Sequence, residues 1–303
     1  MKFLQRLRLA YGDMKLSSKF TLVLMITATI PVIMMAGFFY GRIYDMVVSY
    51  TIQQEQDTSA QTAPYVEEIV QKVIDAHDGI EEQKFFQTLF HQPVNSPFQM
   101  FLETDSAKDF QEYAKDLVSS DLITGLQIYM DFPPQSVRLF TDDLTKNYFS
   151  PMGKARGTYW YGIFQGTQQS SLFCPEFYLM AKIIDVGIMN GDMAYITSTT
   201  FYYQGEARQA YIALYTSSSH LRNMLKDNLP IDGSVSYIIN ERNAIVASSD
   251  ESLSGIYLLN YETIEDSFMS SNNFIERDIL DTKVYAGFYN IKQPGWFMVT
   301  VLP

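Results

Sequence analysis

The stretch FTLVLMITATIPVIMMAGFFY, residues 20–40, contains no charged side chain. As a helix rising about 1.5 Å per residue, it would span roughly 30 Å, the thickness of a bilayer hydrocarbon core. Pro31 lies mid-span, where a membrane helix tolerates proline better than a soluble helix does. The sequence therefore predicts a transmembrane helix over residues 20–40.

The residues before this span predict its orientation. Lysine or arginine occurs at positions 2, 6, 8, 15 and 19, opposed only by Asp13. By the positive-inside rule, residues 1–19 are expected in the cytoplasm and residues 42–303 outside it, anchored in the cell membrane. A cleaved signal peptide is the alternative. Its apolar region would be about 7–15 residues long and end at a small-residue cleavage site, whereas aromatic residues follow Ala36-Gly37 here.

Composition limits the partners of the exported part. Beyond residue 40 there are 17 basic and 33 acidic side chains, a net charge of −16. Such a surface repels nucleic acids and anionic lipid headgroups, so we expect no nucleic-acid partner. The single cysteine, Cys174, excludes an internal disulfide and is expected to be a buried apolar residue.

Apolar periodicity predicts an α+β fold. Residues 41–90 have helical spacing and form a long stalk helix that Pro64 kinks or divides. Further helices are predicted at 106–119 and 217–225. Strand-like alternation occurs at 123–130, 137–141, 194–203, 208–216, 235–239, 244–247, 274–279, 283–289 and 296–302. These strands predict two antiparallel sheets, one in a module at 91–227 and one in a module at 228–303.

Catalytic signatures are absent from the sequence. The three histidines, His77, His91 and His220, are too scattered for a paired-ligand motif, and His77 fits a packed helix face better than a metal site. No nucleophile elbow or phosphate-binding loop occurs. Asp142 and Asp143 lie in a predicted turn. Residues 1–303 are therefore not expected to be an enzyme, to bind a metal or to need a cofactor.

Two segments carry a resemblance to a known family. SYIINERNAIVASS at 236–249 and NIKQPGWFMVTVLP at 290–303 resemble the strand–turn–strand and the closing strand of extracellular double Cache (dCache) sensor domains of bacterial transmembrane receptors. The step at Ser254-Gly255, the aromatic run at 159–161 and AYIALY at 210–215 follow the same layout. Asn243 stands where the family usually has glycine, and we expect a left-handed turn there.

The resemblance implies two PAS-like Cache modules, the first membrane-distal and the second membrane-proximal. It implies an extracellular sensor that binds a small molecule in signal transduction, most like the input region of Gram-positive sensor histidine kinases in two-component systems. Chemoreceptors and cyclic-dinucleotide enzymes carry the same input module. Because the chain stops where a second membrane helix would begin, a fragment of a longer receptor is expected. An anchored structural or interaction ectodomain without its own output is the alternative.

The resemblance also implies a ligand pocket in the first module. Its expected lining residues are Tyr129, Arg156, Trp160, Tyr161 and Tyr178. The arginine could pair with a ligand carboxylate, and the aromatic rings could stack or hold an ammonium group. For the aromatic residues the alternative is core packing, and for the arginine a surface position. The amino-acid-binding members carry R-x-W-Y and then Y-x-D; the segments RGTYWY and PEFY depart from both, which argues against an amino-acid ligand.

A homodimer is also expected. Tyr65, Ile69 and Val73 form a stripe at helical spacing that could be a dimer seam within residues 41–90. The same stripe could instead pack on the chain's own sheet.

Overall fold

The computed structural model describes residues 15–91, 101–102, 105–131, 137–179, 193–203, 205–250, 259–270, 273–279 and 282–302. Several predicted features lie outside these ranges: the basic residues at 2, 6 and 8 with Asp13, the helix break at 92–97, the turn at 132–134, Gln204, the step at 254–255 and Pro303. The chain divides into two compact units, Met1–Gln54 and Glu55–Pro303.

One unbroken helix, α1 (Leu16–Glu81), contains both the predicted span and most of the predicted stalk. By length and composition it could cross a membrane, since its most apolar 18-residue window has a mean hydropathy of 2.3 and none of that window is buried. Of the two outcomes predicted for Pro64, a kink or a division of the stalk, the division is wrong, because the helix continues through it. Proline loses its own bond to the carbonyl of Ala60 and its ring crowds that carbonyl, but both residues are exposed, so the carbonyl can turn outward to water.

The first sheet has five strands in the order β2-β1-β5-β4-β3. They are β1 (Ile123–Met130), β2 (Phe149–Pro151), β3 (Ser171–Pro175), β4 (Met193–Tyr203) and β5 (Glu206–Thr216). The prediction of a wholly antiparallel sheet is wrong at one edge, because β2 pairs with β1 in parallel. The residues predicted as a strand at 137–141 form a short helix instead, in the connection that returns the chain to β2.

Shorter helices connect and cover the strands. They are α2 (Lys84–Phe86) with the π-helical turn Gln87–His91, α3 (Ser106–Val118), α4 (Val137–Thr141), α5 (Met152–Ala155), α6 (Tyr159–Gly166), α7 (Glu176–Leu179), α8 (Ser219–Asp227) and α9 (Tyr261–Met269). The predicted helices at 106–119 and 217–225 are thus confirmed within two residues at each end.

The second sheet is antiparallel throughout, as predicted. Its strands are β6 (Val235–Ile239), β7 (Ile245–Ser248), β8 (Phe274–Ile279), β9 (Thr282–Ile291) and β10 (Trp296–Leu302), in the order β7-β6-β10-β9-β8. Asn243 lies between β6 and β7 with φ 60°, which confirms the left-handed turn. Its Oδ1 also accepts a hydrogen bond of 2.7 Å from the backbone N–H of Tyr261 at the start of α9.

Helix α1 packs on both sheets. Val66, Val70 and Val73 are fully buried in one apolar cluster that also contains Ile212 of the first sheet and Met298 of the second. Val73 is therefore unavailable as a dimer seam, because the chain's own core covers it. In the same stripe Ile69 is half-buried, whereas the ring of Tyr65 is 60% exposed.

A buried carboxylate lies where α1 crosses the second sheet. Glu55 is 1% exposed, and its Oε1 accepts a hydrogen bond of 2.7 Å from the hydroxyl of Ser59. Its Oε2 has no hydrogen-bond partner, and a Cβ built on Gly287 of β9 would lie 2.7 Å from Oε1 and closer still to Oε2. Burial raises the pKa of this carboxyl, against the lowering effect of hydrogen bonds from Ser59 and Thr300.

Candidate functional site

The two faces of the first sheet have different partners. In the β1–β5 register, Ile128 faces Ile212 and Tyr129 faces Tyr211. Because side chains alternate along a strand, the isoleucines point to α1, and the tyrosines point to the opposite face together with Tyr215. The face away from α1 therefore holds a row of tyrosines.

Helix α6 covers this tyrosine face. The hydroxyl of Thr158 caps the helix by accepting from the backbone N–H of Tyr161 at 3.4 Å. Trp160 is 1% exposed, and its ring centroid lies 5.2 Å from Tyr211, 5.6 Å from Tyr129 and 6.1 Å from Tyr161. We call these four residues the aromatic cluster. Three of the five predicted site residues thus come together, with Trp160 packed at the centre.

Hydroxyl groups give the aromatic cluster its polarity. The hydroxyls of Tyr129 and Tyr215 lie 2.8 Å apart in a buried hydrogen bond, and burial is the main cause of the raised pKa of both phenols. The side chain of Gln165 donates to the hydroxyl of Tyr211 at 3.1 Å. Burial also raises the pKa of Tyr211, with a smaller contribution in the same direction from the charge of Asp131.

Arg156 lies at the edge of the aromatic cluster. Its Nη2 is 3.1 Å from Oδ1 of Asp131, and the two side chains are 61% and 38% exposed. Arg156 is the first residue after α5, and Asp131 is the first residue after β1. Both side chains therefore lie near the end of the strand that carries Tyr129. Arg156 is thus a surface residue already paired with Asp131, the alternative that the sequence left open for it.

Tyr178 belongs to the same buried cluster as Tyr129 and Trp160, but it also contacts the second module. It is 6% exposed, and its side chain hydrogen-bonds that of Asn240, which directly follows β6. Burial raises the pKa of this phenol, while the nearby charge of Arg242 lowers it. Tyr178 therefore links α7 to the turn that follows β6.

Sequence reasoning missed Tyr211, Tyr215, Gln165 and Asp131. The alternation in AYIALY at 210–215 was a usable signal, since it places Tyr211 and Tyr215 on one face. Gln165 and Asp131 gave no signal, because their roles depend on how α6 and the end of β1 meet.

Other reactive groups are held in packing roles. Cys174 is fully buried, and burial raises the pKa of its thiol well above the usual value, which leaves it a poor nucleophile. His77 is buried with Nε2 2.6 Å from the hydroxyl of Thr197, and burial lowers its pKa. In the described part of the chain, no group of three or more His, Cys, Asp or Glu side chains could hold a metal ion.

No family profile matches the sequence, and no curated protein matches it. Several solved structures match the chain. The periplasmic sensory domain of the Campylobacter jejuni chemoreceptor Tlp1 superposes with a TM-score of 0.54 at 12% identity, over 81% of this chain and 92% of that domain. The chain has the fold of a periplasmic sensory domain. This confirms the α+β, double Cache fold that the resemblance implied.

The ligand-binding domain of Mlp24 with asparagine also matches, with a TM-score of 0.49 at 10% identity, over 84% of this chain and 94% of that domain. At identities this low, the likeness concerns the fold alone. It does not extend to the type of receptor.

Proposed function

We propose that this chain is the extracytoplasmic sensing region of a membrane-anchored receptor, and that it binds a small molecule at the aromatic cluster. The observation that carries this proposal is the two-sided first sheet. One face carries the aromatic cluster, and the other packs on α1, the helix that contains the apolar span. A ligand that shifts the tyrosine strands would act on α1 through the sheet, provided that it binds two arrangements with different affinity.

The groups around the aromatic cluster indicate how a ligand would be held. Arg156 offers donors, Asp131 offers acceptors, and Tyr161 and Gln165 offer both. A ligand carboxylate would have to replace Asp131 as the partner of Arg156. Since both side chains of this ion pair are well exposed, opening it costs about 1 kcal/mol or less. The ligand class is therefore a small polar molecule, with its apolar part against the tyrosine and tryptophan rings.

Among receptor types we favour the input region of a two-component sensor histidine kinase. The short basic N-terminus, the span and the two successive modules support this choice through their resemblance to that class. In this proposal the basic residues before the span keep residues 1–19 in the cytoplasm, and residues 42–303 lie outside it. Residues 91–227 are the membrane-distal module and residues 228–303 the membrane-proximal one, as the resemblance implies. Two copies would associate through the exposed part of residues 41–90.

A thermal-shift screen tests the ligand site. The full chain in detergent is heated with a library of small metabolites, and a ligand of the native state raises its Tm. Arg156→Ala and Tyr161→Phe should each weaken such a ligand by about 1–3 kcal/mol, because each removes a hydrogen-bonding group. Lys154→Ala, which removes an exposed cation two residues before Arg156, is the matched control and should leave affinity unchanged.

Trp160→Ala is unsuitable for this test. Because Trp160 is packed among aromatic rings, truncating it should cost about 3–5 kcal/mol of stability and obscure any effect on binding. A ligand that binds equally well to Arg156→Ala and Tyr161→Phe would contradict the aromatic cluster as the site.

A further inference from the structure

A cavity of about 280 Å³ lies where the two sheets meet α1. Turns and strands of both sheets line it, chiefly through Gln169, Phe173, Tyr195, Glu241, Gln293 and Trp296. None of these belongs to the aromatic cluster, which covers another part of the first sheet. The cavity is therefore a separate candidate site.

Aromatic rings form one wall of this cavity. The ring centroid of Phe173 lies 4.5 Å from that of Tyr195 and 5.4 Å from that of Trp296. Phe173 and Trp296 meet edge to face. Phe173 and Trp296 are buried, so the wall is held rigidly and Tyr195 is its more accessible ring. The π-faces of such rings attract cations, and tryptophan does so most strongly.

The polar side of the cavity is uncharged or negative. Glu241 is the carboxylate among its lining residues, beside the amides of Gln169 and Gln293. Two more carboxylates, Asp78 and Glu81 of α1, lie close enough to add to the effect of burial in raising the pKa of Tyr195.

One cation at this rim, Arg242, is only loosely paired with Glu241. Nε of Arg242 is 3.7 Å from Oε1 of Glu241, and its Nη2 donates a long hydrogen bond of 3.4 Å to Gln169. Both ionised side chains are at least one-third exposed, so this pair contributes little and leaves Glu241 available to a stronger partner.

We propose that this cavity binds a small organic cation, with its ammonium group at Glu241 and its apolar groups against Tyr195 and Trp296. This site is additional to the one proposed at the aromatic cluster. Because its walls come from both sheets, an occupant would stabilise one arrangement of the two sheets relative to each other.

Tryptophan fluorescence can report on this cavity alone. The chain has two tryptophans, Trp160 in the aromatic cluster and Trp296 in the cavity wall. Trp160→Phe keeps an aromatic ring in the cluster and leaves Trp296 as the only indole. The full-length Trp160→Phe chain in detergent is titrated with tetramethylammonium chloride and with ethylammonium chloride, and with sodium chloride at matched ionic strength.

The expected result is a saturable change in emission with at least one of the two ammonium salts and none with sodium chloride. Adding Glu241→Gln should weaken the apparent affinity at least tenfold. Adding Glu262→Gln, an exposed glutamate on α9, should leave it unchanged. Glu241 lies in a turn and its side chain is 42% exposed, so its variant should fold, which an unchanged Tm verifies.

Three results would overturn the proposal: no saturable change with either ammonium salt, a response that sodium chloride reproduces, or an affinity that Glu241→Gln leaves intact. None of them bears on the aromatic cluster, whose test uses other variants.

Discussion

The buried carboxylate of Glu55 makes the stability of the chain depend on pH. Burial raises its folded-state pKa above the unfolded value. Its stabilising contribution is therefore fully present below the unfolded pKa and is lost as pH rises through the raised folded pKa. Glu55→Gln should increase the free energy of unfolding at pH 8 by about 1–3 kcal/mol, because burying the acid is costly above its unfolded pKa and a neutral amide does not titrate.

Chemical denaturation at pH 4 and pH 8 measures this effect. At pH 4 the advantage of Glu55→Gln should disappear, since the wild-type carboxyl is then neutral. Glu68→Gln, on an exposed face of the same helix, is the control and should change stability by less than about 0.5 kcal/mol at either pH. An advantage for Glu55→Gln that is equal at the two pH values would contradict a titrating buried carboxyl.

Gly287 and Glu55 should be energetically coupled. A methyl group on Gly287 would overlap the carboxylate of Glu55, so Gly287→Ala should cost about 1–3 kcal/mol. In a Glu55→Ala background the space is free and the same substitution should cost much less. A double-mutant cycle by denaturant unfolding gives the coupling energy. Gly153→Ala, where a Cβ meets nothing within 4 Å, is the control; purely additive effects would argue against the contact.

For single residues, the sequence predicts the burial or backbone conformation of some and not of others. The burial of Cys174 followed from residue type, and the left-handed turn at Asn243 followed from the resemblance, because asparagine stands there where the family usually has glycine. Glu55 could not be found, because it lies in the polar stretch 53–62 and its burial depends on a glycine 232 positions away. Long-range contacts of this kind leave no local pattern.

Among the elements, the turn between β6 and β7 depends on Asn243 in two ways. Its backbone adopts φ 60°, and its side chain accepts from the first residue of α9. Asn243→Gly should keep the turn and lose the hydrogen bond, at a cost of about 0.5–1.5 kcal/mol. Asn243→Ala loses the hydrogen bond and also strains the left-handed backbone, so it should cost about 1–2 kcal/mol more than Asn243→Gly. Denaturant unfolding measures the difference; equal costs for glycine and alanine would mean that the left-handed backbone is not strained.

Elements with strong periodicity were predictable, and those shaped by tertiary contacts were not. The hairpin of β4 and β5 and the second sheet have clear alternation. The segment Val137–Thr141 was misassigned because its apolar residues resemble a short strand, whereas Leu139 is buried and its carbonyl accepts from the hydroxyl of Thr145 in a closed turn. The strand β2 has three residues, too few to show a period, and its parallel pairing is non-local.

For the site, the sequence supplied the aromatic helix α6 and Tyr129. It could not supply the strand register that brings Tyr211 to Trp160. Nor could it show that Tyr178, only 17 residues beyond Tyr161, also contacts the turn that follows β6. Residue type thus predicted an aromatic and hydroxyl-rich site, and the tertiary structure determined which residues come together in it.

At the scale of the whole molecule, cysteine crosslinking tests both the dimer and the orientation in the membrane. Val47, Tyr50 and Gln54 are exposed on α1 beyond the apolar span. Single cysteines at these positions should form disulfides in membranes with a helical i, i+3/i+4 pattern if two copies associate here. Cys174 can remain in place, because its buried thiol should not react in the folded chain.

The same variants report which side of the membrane they face. A membrane-impermeant maleimide added to intact cells should label all three positions, as an extracytoplasmic stalk requires. Protection of all three until the cells are permeabilised would reverse the proposed orientation. Absence of crosslinks despite full labelling would contradict a dimer through this part of α1.

The shared helix also restricts how such a chain can change over generations. Between Glu55 on the second sheet and His77 at the first, α1 meets both sheets with fixed faces. One inserted residue would rotate everything beyond it by about 100° and shift it by about 1.5 Å, turning an apolar face to solvent. Insertions and deletions in this interval should therefore be tolerated only when their length is close to two full helical turns, about seven residues. Recombination between chains of this fold would preserve the packing best when the helix is inherited as one piece with both sheets.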